Sequence, residues 1–343
     1  MTPNTILDIV KECDNFIYYA DNPTEYITTL QTHYYAFKVS NCASILGYIP
    51  ASLIPQIPWN PETWHIDHES HTVTLTAPPP ATNRSRLLEQ TLREVGPQIS
   101  LLRGWRNETF PVYGPSQGEV LLEIERCASA LFGIVTYGVQ LLCYERGRPA
   151  ATIITRECPS DEAASASGGG NSHPIKLWIA RRSSSKQTYP GMLDCTAAGG
   201  LPTGKSPLEG VIAEALEEAS LPESLVRTRL RATGCVSYFH VRGPKAGGET
   251  GLLQPEVEYT YEMELGGAVR PSPSDEEVEE FRLWEVEEVL DALRRGEFKP
   301  NSAVVVVDFL IRHGLLTAEN ERDYVHILPR LHRRLEFPLC IYR

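Results

Sequence analysis

Glu214, Glu217 and Glu218 sit within one short stretch, and no basic side chain lies between Ser206 and Val226 to neutralise them. On a helix, like charges three and four residues apart repel. Glu217 and Glu218 also fall near the expected helix C-terminus, where the macrodipole disfavours anions. A helix built against its own electrostatics predicts a cation, most simply a divalent metal held by carboxylate oxygens. A solvated acidic face is the plain alternative. The segment just upstream, AAGGLPTGKSP, favours the metal: Gly199, Gly200 and Gly204 permit positive φ and a close backbone approach, which suits a phosphate. Carboxylates, a metal and a phosphate loop together point to cleavage of a diphosphate.

The element that must carry the glutamates is well marked. Ser206 is a fit N-cap, Pro207 takes the first helical position, and Glu209 completes a capping box. Leu208, Val211, Ile212, Ala215, Leu216 and Ala219 form a 3.6-period stripe expected to face a core, with the three glutamates off it. Upstream, RRSSSKQTYPGMLD places Arg182 and Lys186 four residues apart at a strand end, a spacing that can bracket a diphosphate. Tyr189-Pro190-Gly191 is a turn whose tyrosine could border the pocket. Among downstream acids, Glu277 is the first choice to complete the site and Glu256 the second.

Residues 1 to about 125 read as a mixed region with no evident chemistry: a helix over 5–12, strands over 33–39 and 71–75, and helices over 84–94 and 118–131. From Val135 the texture turns to strands, YGVQLLCYE, PAATIITRE and IKLWIARRS, the last two separated by a Gly/Ser-rich hairpin loop or insertion. RATGCVSYFHV and EVEYTYEMEL are further strands, the second with clean alternation; VEEVLDALRRG is a helix and FKPNSAVVVVDFLIRHG a buried one. Alternating strands and helices imply a mixed α/β layer fold.

With 343 residues the chain has room for two domains, and 42% hydrophobic against 22% charged content is that of an ordinary globular protein. A net charge of −12 argues against a nucleic-acid surface. No apolar run approaches the roughly 18 residues of a membrane span, and no signal peptide is expected. Eight cysteines without C-x-x-C or zinc spacing suit a reducing compartment. The expectation is a soluble cytoplasmic protein with a small-molecule diphosphate substrate and neither nucleic-acid nor membrane partners.

The loop and helix resemble the signature of the Nudix hydrolases, G-x5-E-x7-R-E-U-x-E-E-x-G-U with U aliphatic. Gly199, Glu214, Glu217, Glu218 and Leu221 match, while Lys205, Ala213, Ala215 and Ser220 stand in place of the isolated glutamate, the arginine, a larger aliphatic and the final glycine. The resemblance implies Glu217 and Glu218 as ligands of Mg²⁺ or Mn²⁺. Glu214 would be a further ligand or orient the attacking water, and Glu214, Glu218 and Glu277 would be the catalytic set. R-x-x-x-K followed by Y-P-G also resembles isopentenyl-diphosphate isomerase, but Ala197, Ala198 and Gly200 stand where that enzyme needs cysteine and histidine, so isomerase chemistry is not expected.

A closer likeness is to the fungal and plant Nudix proteins related to thiamine pyrophosphokinase. It rests on GWRNETFPVYG, LFGIVTYGV, LWIARRSSSKQTYPGMLD, AEALEEASL, QPEVEYTYEMEL, EFKPNSA and the RLHRRLEFP tail. This implies an α+β chain: a Nudix α/β/α sandwich with a mixed sheet over 131–315, with an insertion near 157–173. A smaller α+β domain over 1–130 would precede it, and a packing tail over 316–343 would follow. It also implies hydrolysis of oxidised (oxo and oxy) thiamine diphosphate analogues to monophosphates, with Arg182, Lys186, Tyr189 and Gln140 on the substrate. Gln140 stands where the resemblance leads one to expect histidine. Trp178, Tyr189, Tyr238, Phe239, Tyr259 and Tyr261 are available to line an aromatic pocket, most of them as core. Two alternatives stay open: a specialised diphosphatase for a prenyl or nucleoside diphosphate, and a catalytically weakened diphosphate-binding protein.

Overall fold

A computed structural model describes residues 4–116, 118–147, 174–274 and 276–340. The expected strand PAATIITRE and the Gly/Ser-rich segment lie outside the described residues. The first region runs α1 (Ile6–Cys13), α2 (Pro23–His33), β1 (Tyr34–Val39), β2 (Gly47–Pro50), β3 (Trp64–Asp67), β4 (Thr72–Leu75), α3 (Ala81–Val95), β5 (Thr109–Tyr113), β6 (Val120–Glu125) and the short α4 (Ser129–Phe132). The first four strands form a sheet ordered β2-β1-β4-β3, and β5 pairs with β6 as a separate ribbon. The expected helix over 118–131 is corrected. Val120–Glu125 is a strand in antiparallel register with β5, and only Ser129–Phe132 is α-helical. A leucine-rich run satisfies either period, and the open edge of β5 decided between them.

The second region runs β7 (Thr136–Arg146), β8 (Ile175–Arg182), β9 (Leu193–Asp194), β10 (Ala197–Gly200), α5 (Pro207–Ala219), α6 (Glu223–Arg229), β11 (Arg231–Val241), β12 (Leu253–Glu264), β13 (Val278–Glu285), α7 (Val286–Arg294), α8 (Pro300–Arg312) and α9 (Tyr324–Leu331). Its sheet is ordered β11-β12-β7-β8-β13, with β10 on β7 and β9 on β8. β12 and β7 are parallel and the other pairs antiparallel, so the sheet is mixed. β7 forks: Cys143–Arg146 pair with β8, whereas Gly138–Leu141 pair with β10. That fork brings the glycine segment of β10 into the sheet.

Apolar side chains cover both faces of this sheet. Val139, Leu141, Val211, Ala215 and Val226 share one core with α5 and α6. Leu142, Leu177 and Val236 share another with α1, α7, α8 and α9. The layers are those of an α/β/α sandwich. α8 is buried along Ala303–Leu310, as its valine run predicts. Ile6, Ile9, Val10 and Cys13 of α1 pack in this second core, across the expected boundary at residue 130. Among the described residues no helix is long and apolar enough to cross a membrane.

Candidate active site

α5 begins as its sequence dictates. The Ser206 side chain accepts from the Glu209 N–H, and the Glu209 side chain accepts from the Ser206 N–H, with Pro207 at the start. Ser220 ends the helix in the left-handed region, φ 55°, its N–H returning to the Ala215 and Leu216 carbonyls. A Cβ at Gly210 would lie 2.8 Å from Leu201 Cδ1 and 3.5 Å from Val139 Cγ1, so the helix sits close on β7. Val211, Ile212, Ala215 and Ala219 are buried there. Leu208 and Leu216 are not: 44% and 49% exposed, they leave the expected stripe. At about 100° per residue, the buried arc centres on Val211, Ala215 and Ala219. Leu216 falls beyond one edge of that arc, Leu208 precedes the Gly210 contact, and Glu218 falls inside the other edge.

Glu218 is accordingly buried, 8% exposed, where the stripe had placed it outside. The Ala198 N–H donates to its Oε2 at 2.9 Å. Glu214, one turn earlier, lies against β10, so that a Cβ at Gly199 would overlap its carboxylate. Glu217 is turned to solvent. Gly199 and Gly200 do not have positive φ; in this loop only Gly204 does, at 85°. The two strand glycines are needed for another reason. One face of β10 is pressed by Glu214, and on the other a Cβ at Gly200 would come 2.7 Å from Phe110 Cζ and 3.7 Å from Arg126 Cζ. Backbone freedom at Gly199 and Gly200 is thus corrected to side-chain crowding.

Charge accumulates here. Burial, then Glu217 and Glu277, push the Glu214 carboxyl up to about 7, against the pull of Arg126 and Lys205. Burial, then Glu214 and Asp194, push Glu218 up in the same direction, opposed by the Ala198 N–H and Lys186. These acids line one side of a cleft of about 450 Å³ that also receives Arg106, Phe110 and Arg126 from the first region and Lys205 and Lys299 from the second. The Thr203 N–H donates to the Thr109 carbonyl at 2.8 Å, tying the loop before α5 to β5. Among the described residues no three carboxylate, imidazole or thiol groups converge at metal-coordinating spacing.

The remaining expected residues all border this cleft. Lys186 and Glu277 pair with each other. Arg182 is employed otherwise than expected. Its Nη1 donates to Asp194 Oδ2 at 2.8 Å, its Nε to the Tyr189 carbonyl at 3.1 Å and its Nη2 to the Thr188 carbonyl at 2.9 Å, so it holds the 188–189 turn. Tyr189 borders the cleft with its hydroxyl 3.5 Å from His240 Nε2. Gln140 Nε2 donates to Glu258 Oε1 at 3.2 Å. Glu256 is held by the Thr136 and Tyr238 hydroxyls. Of the aromatic candidates, Tyr189 and Tyr238 reach the cleft, while Trp178, Phe239, Tyr259 and Tyr261 belong to the core. Sequence reasoning missed Arg106, Phe110, Arg126 and Glu258. The first two lie in GWRNETFPVYG, noticed only as a likeness; Glu258 had a signal in a strand alternating glutamate with apolar residues while both its faces are covered.

A family model described as a NUDIX domain matches residues 169–305, and one described as a domain of unknown function, DUF4743, matches residues 8–136. An uncharacterized protein of Saccharomyces cerevisiae is 36% identical over 81% of this chain and 75% of its own. Nudix hydrolase 20, chloroplastic, of Arabidopsis thaliana is 32% identical over 74% of this chain and 59% of its own. An uncharacterized Nudix hydrolase of Yersinia pestis is 32% identical over 45% of this chain and 71% of its own. The chain belongs to the Nudix hydrolase family. Membership places it among hydrolases of diphosphate bonds, with the NUDIX region preceded by a DUF4743 region. The chain spans 59% of the length of the plant relative.

Proposed function

We propose that this Nudix protein hydrolyses a small-molecule diphosphate with the help of a divalent metal, Mg²⁺ or Mn²⁺, and that its substrates are oxidised thiamine diphosphate analogues. The observation that carries the reading is the placement of Glu214 and Glu218 against β10, both pushed towards protonation (Glu214 by burial and Glu217, Glu218 by burial and Glu214), in a cleft also lined by Arg126, Lys186 and Lys205. The donor chemistry fits a hard cation, carboxylate oxygens carrying surplus negative charge that a divalent ion would relieve, and the ion would have to draw together groups that, among the described residues, do not converge without it. Glu214, Glu217 and Glu218 would hold it, Glu217 from the solvent side. When bound, such a metal neutralises the diphosphate and lowers the pKa of an attacking water.

The chain's own groups supply the rest. Arg126 and Lys205, the cations acting on Glu214, would take the phosphate charge, and Lys186 would do so on release from Glu277. Glu277, once released, is placed to accept a proton from water. Arg182 acts as a positioning residue, holding the turn that carries Tyr189. In this reading residues between Leu101 and Ala130 form the opposite wall of the cleft, the sandwich domain carries the chemistry, and the tail, as far as residue 340, packs on both. The thiamine assignment is supported by the motifs shared with the thiamine pyrophosphokinase-related proteins.

Phosphate release from oxothiamine diphosphate, geranyl diphosphate and ADP-ribose, with and without Mg²⁺, tests this directly. Metal-dependent release, greatest with the thiamine analogue and abolished in Glu218→Gln with the fold retained, is the expected result. Release unchanged by Glu218→Gln would end the metal-helix reading; preference for either other substrate would end the thiamine assignment.

A further inference from the structure

His240 of β11 and Tyr189 of the turn before β9 are half-buried rather than enclosed, and both line the cleft. His240 Nδ1 lies 3.0 Å from the carbonyl of Cys13, the last residue of α1. A carbonyl only accepts, so Nδ1 carries the proton and the neutral ring presents a bare lone pair at Nε2. Burial lowers the pKa of His240, which keeps the ring neutral. The Tyr189 hydroxyl stands 3.5 Å from that nitrogen, at the outer limit of a hydrogen bond. Burial pushes its pKa up to about 12, so it remains a protonated donor. An acceptor and a donor thus stand side by side, scarcely using each other.

Both positions are built. Tyr189 holds φ at 50°, in the left-handed region that a bulky residue rarely enters. Arg182 enforces this by donating to the Thr188 and Tyr189 carbonyls while its Nη1 is fixed on buried Asp194. Strained residues persist only where their surroundings over-determine them, and they cluster at ligand clamps. On the other side, the segment after α1 grips β11 around His240. The Phe239 N–H donates to Asp14 Oδ1 at 3.0 Å, the Phe16 N–H to the Phe239 carbonyl at 3.0 Å and the Val241 N–H to Asn15 Oδ1 at 2.6 Å. α1 and α5 cover opposite faces of the sheet. His240 therefore reaches the cleft from the side opposite Glu214 and Glu218.

We propose that Tyr189 and His240 read the head ring of the substrate as a donor–acceptor pair: Tyr189 Oη donates to a ring nitrogen or ring carbonyl, and His240 Nε2 accepts from the N–H next to it. The pair asks for an N–H beside an acceptor, not for an amino group. An aminopyrimidine offers that edge as an amino N–H beside a bare ring nitrogen. The corresponding pyrimidinone offers it as a ring N–H beside a carbonyl. An oxo analogue keeps the first edge, because its oxidation lies on the other ring, and an oxy analogue presents the second. One pair of side chains therefore admits both classes. A head whose N–H is blocked leaves Nε2 without a donor and binds worse. This inference rests on the diphosphatase reading and deepens it: α5 takes the metal and diphosphate end, Tyr189 and His240 the head.

Three heads test it: oxothiamine, oxythiamine, and oxythiamine methylated on the ring nitrogen beside its carbonyl. Each is used without phosphate for calorimetric binding in EDTA and as the diphosphate for phosphate release with Mg²⁺. The first two should bind the parent within about threefold of each other, and the methylated head about tenfold more weakly. Tyr189→Phe and His240→Leu should each weaken the first two about tenfold, through Kd and KM rather than kcat. His240→Leu should also close the gap to the methylated head, and His240→Gln, which keeps an acceptor, should restore part of the loss. The phenylalanine variant stands in should the leucine variant fold poorly. Head binding that depends on both side chains, with no phosphate released from any diphosphate, would uphold the subsite and sink the diphosphatase reading. Kd and KM unchanged in both variants, a methylated head bound as well as its parent, or a gap that survives His240→Leu would overturn the subsite. So would phosphate release from all three diphosphates alike with no head bound.

Discussion

Glu214→Gln should stabilise the metal-free protein, and the gain should appear only as the pH rises. Burial and the neighbouring Glu217 lift the Glu214 carboxyl from 4.5 to about 7. Below pH 4.5 the group is protonated in both folded and unfolded chains and contributes nothing. Between 4.5 and 7 the unfolded chain loses its proton first, so native stability falls; above 7 the whole penalty is present. At about 1.4 kcal/mol per unit, the penalty is about 3 kcal/mol, and glutamine, nearly isosteric and neutral, removes it. The expected gain in EDTA is therefore about 3 kcal/mol near pH 8.5 and under about 1 kcal/mol near pH 5. Urea unfolding midpoints of parent and variant at the two pH values read this out. With Mg²⁺ added, the parent should gain more than the variant, because linkage rewards only the chain that binds the ion. A variant no more stable than the parent near pH 8.5, or equally more stable at both pH values, would refute the claim that these carboxylates are held against their electrostatics.

Arg126→Ala should lower turnover about tenfold, the effect of one partly exposed cation of about 1.4 kcal/mol lost beside Glu214; Ala213→Arg added to that background should recover part of it, and an unchanged rate in Arg126→Ala would remove the arginine from the site. Arg182→Leu should cost about 3–5 kcal/mol by leaving Asp194 charged and unpaired in the interior, while adding Asp194→Asn should return most of the stability but not the hold on the Thr188 and Tyr189 carbonyls. Chemical denaturation of the two variants checks both halves, and a loss under about 1 kcal/mol for Arg182→Leu would show that the pair is not structural.

What could be read from the chain followed the range of the interactions. The caps of α5 are local, written within Ser206–Glu209, and the structure forms them as expected. The burial of α8 follows from an unbroken apolar run. The three glutamates were conspicuous because their repulsion is also local. Longer-range facts were invisible. Nothing near Ala213 announces that the cation at Glu214 comes from Arg126, far earlier in the chain and in the other region. Nothing near Glu258 announces that Gln140 shares its carboxyl, because parallel pairing of β12 with β7 is a property of the finished sheet. The misread strand over Val120–Glu125 has the same cause, a partner edge supplied by β5.

The crowding at β10 joins these facts into one device. Gly199 is pressed by Glu214 from the α5 side and Gly200 by Phe110 and Arg126 from the ribbon side, with no Cβ between them. The same segment gives the Ala198 N–H to Glu218, and the loop beyond it is tied to Thr109 of β5. A rigid strand clamped on both faces transmits displacement because packed interiors deform little. A shift of the β5–β6 ribbon therefore moves the backbone on which Glu214 and Glu218 rest, together with the arginine that tempers the charge of Glu214. This gives the DUF4743 region a physical reason to precede this Nudix sandwich. Where the signature lacks its own arginine, Arg126 of the neighbouring region acts on Glu214, so separating the two regions should loosen the acids.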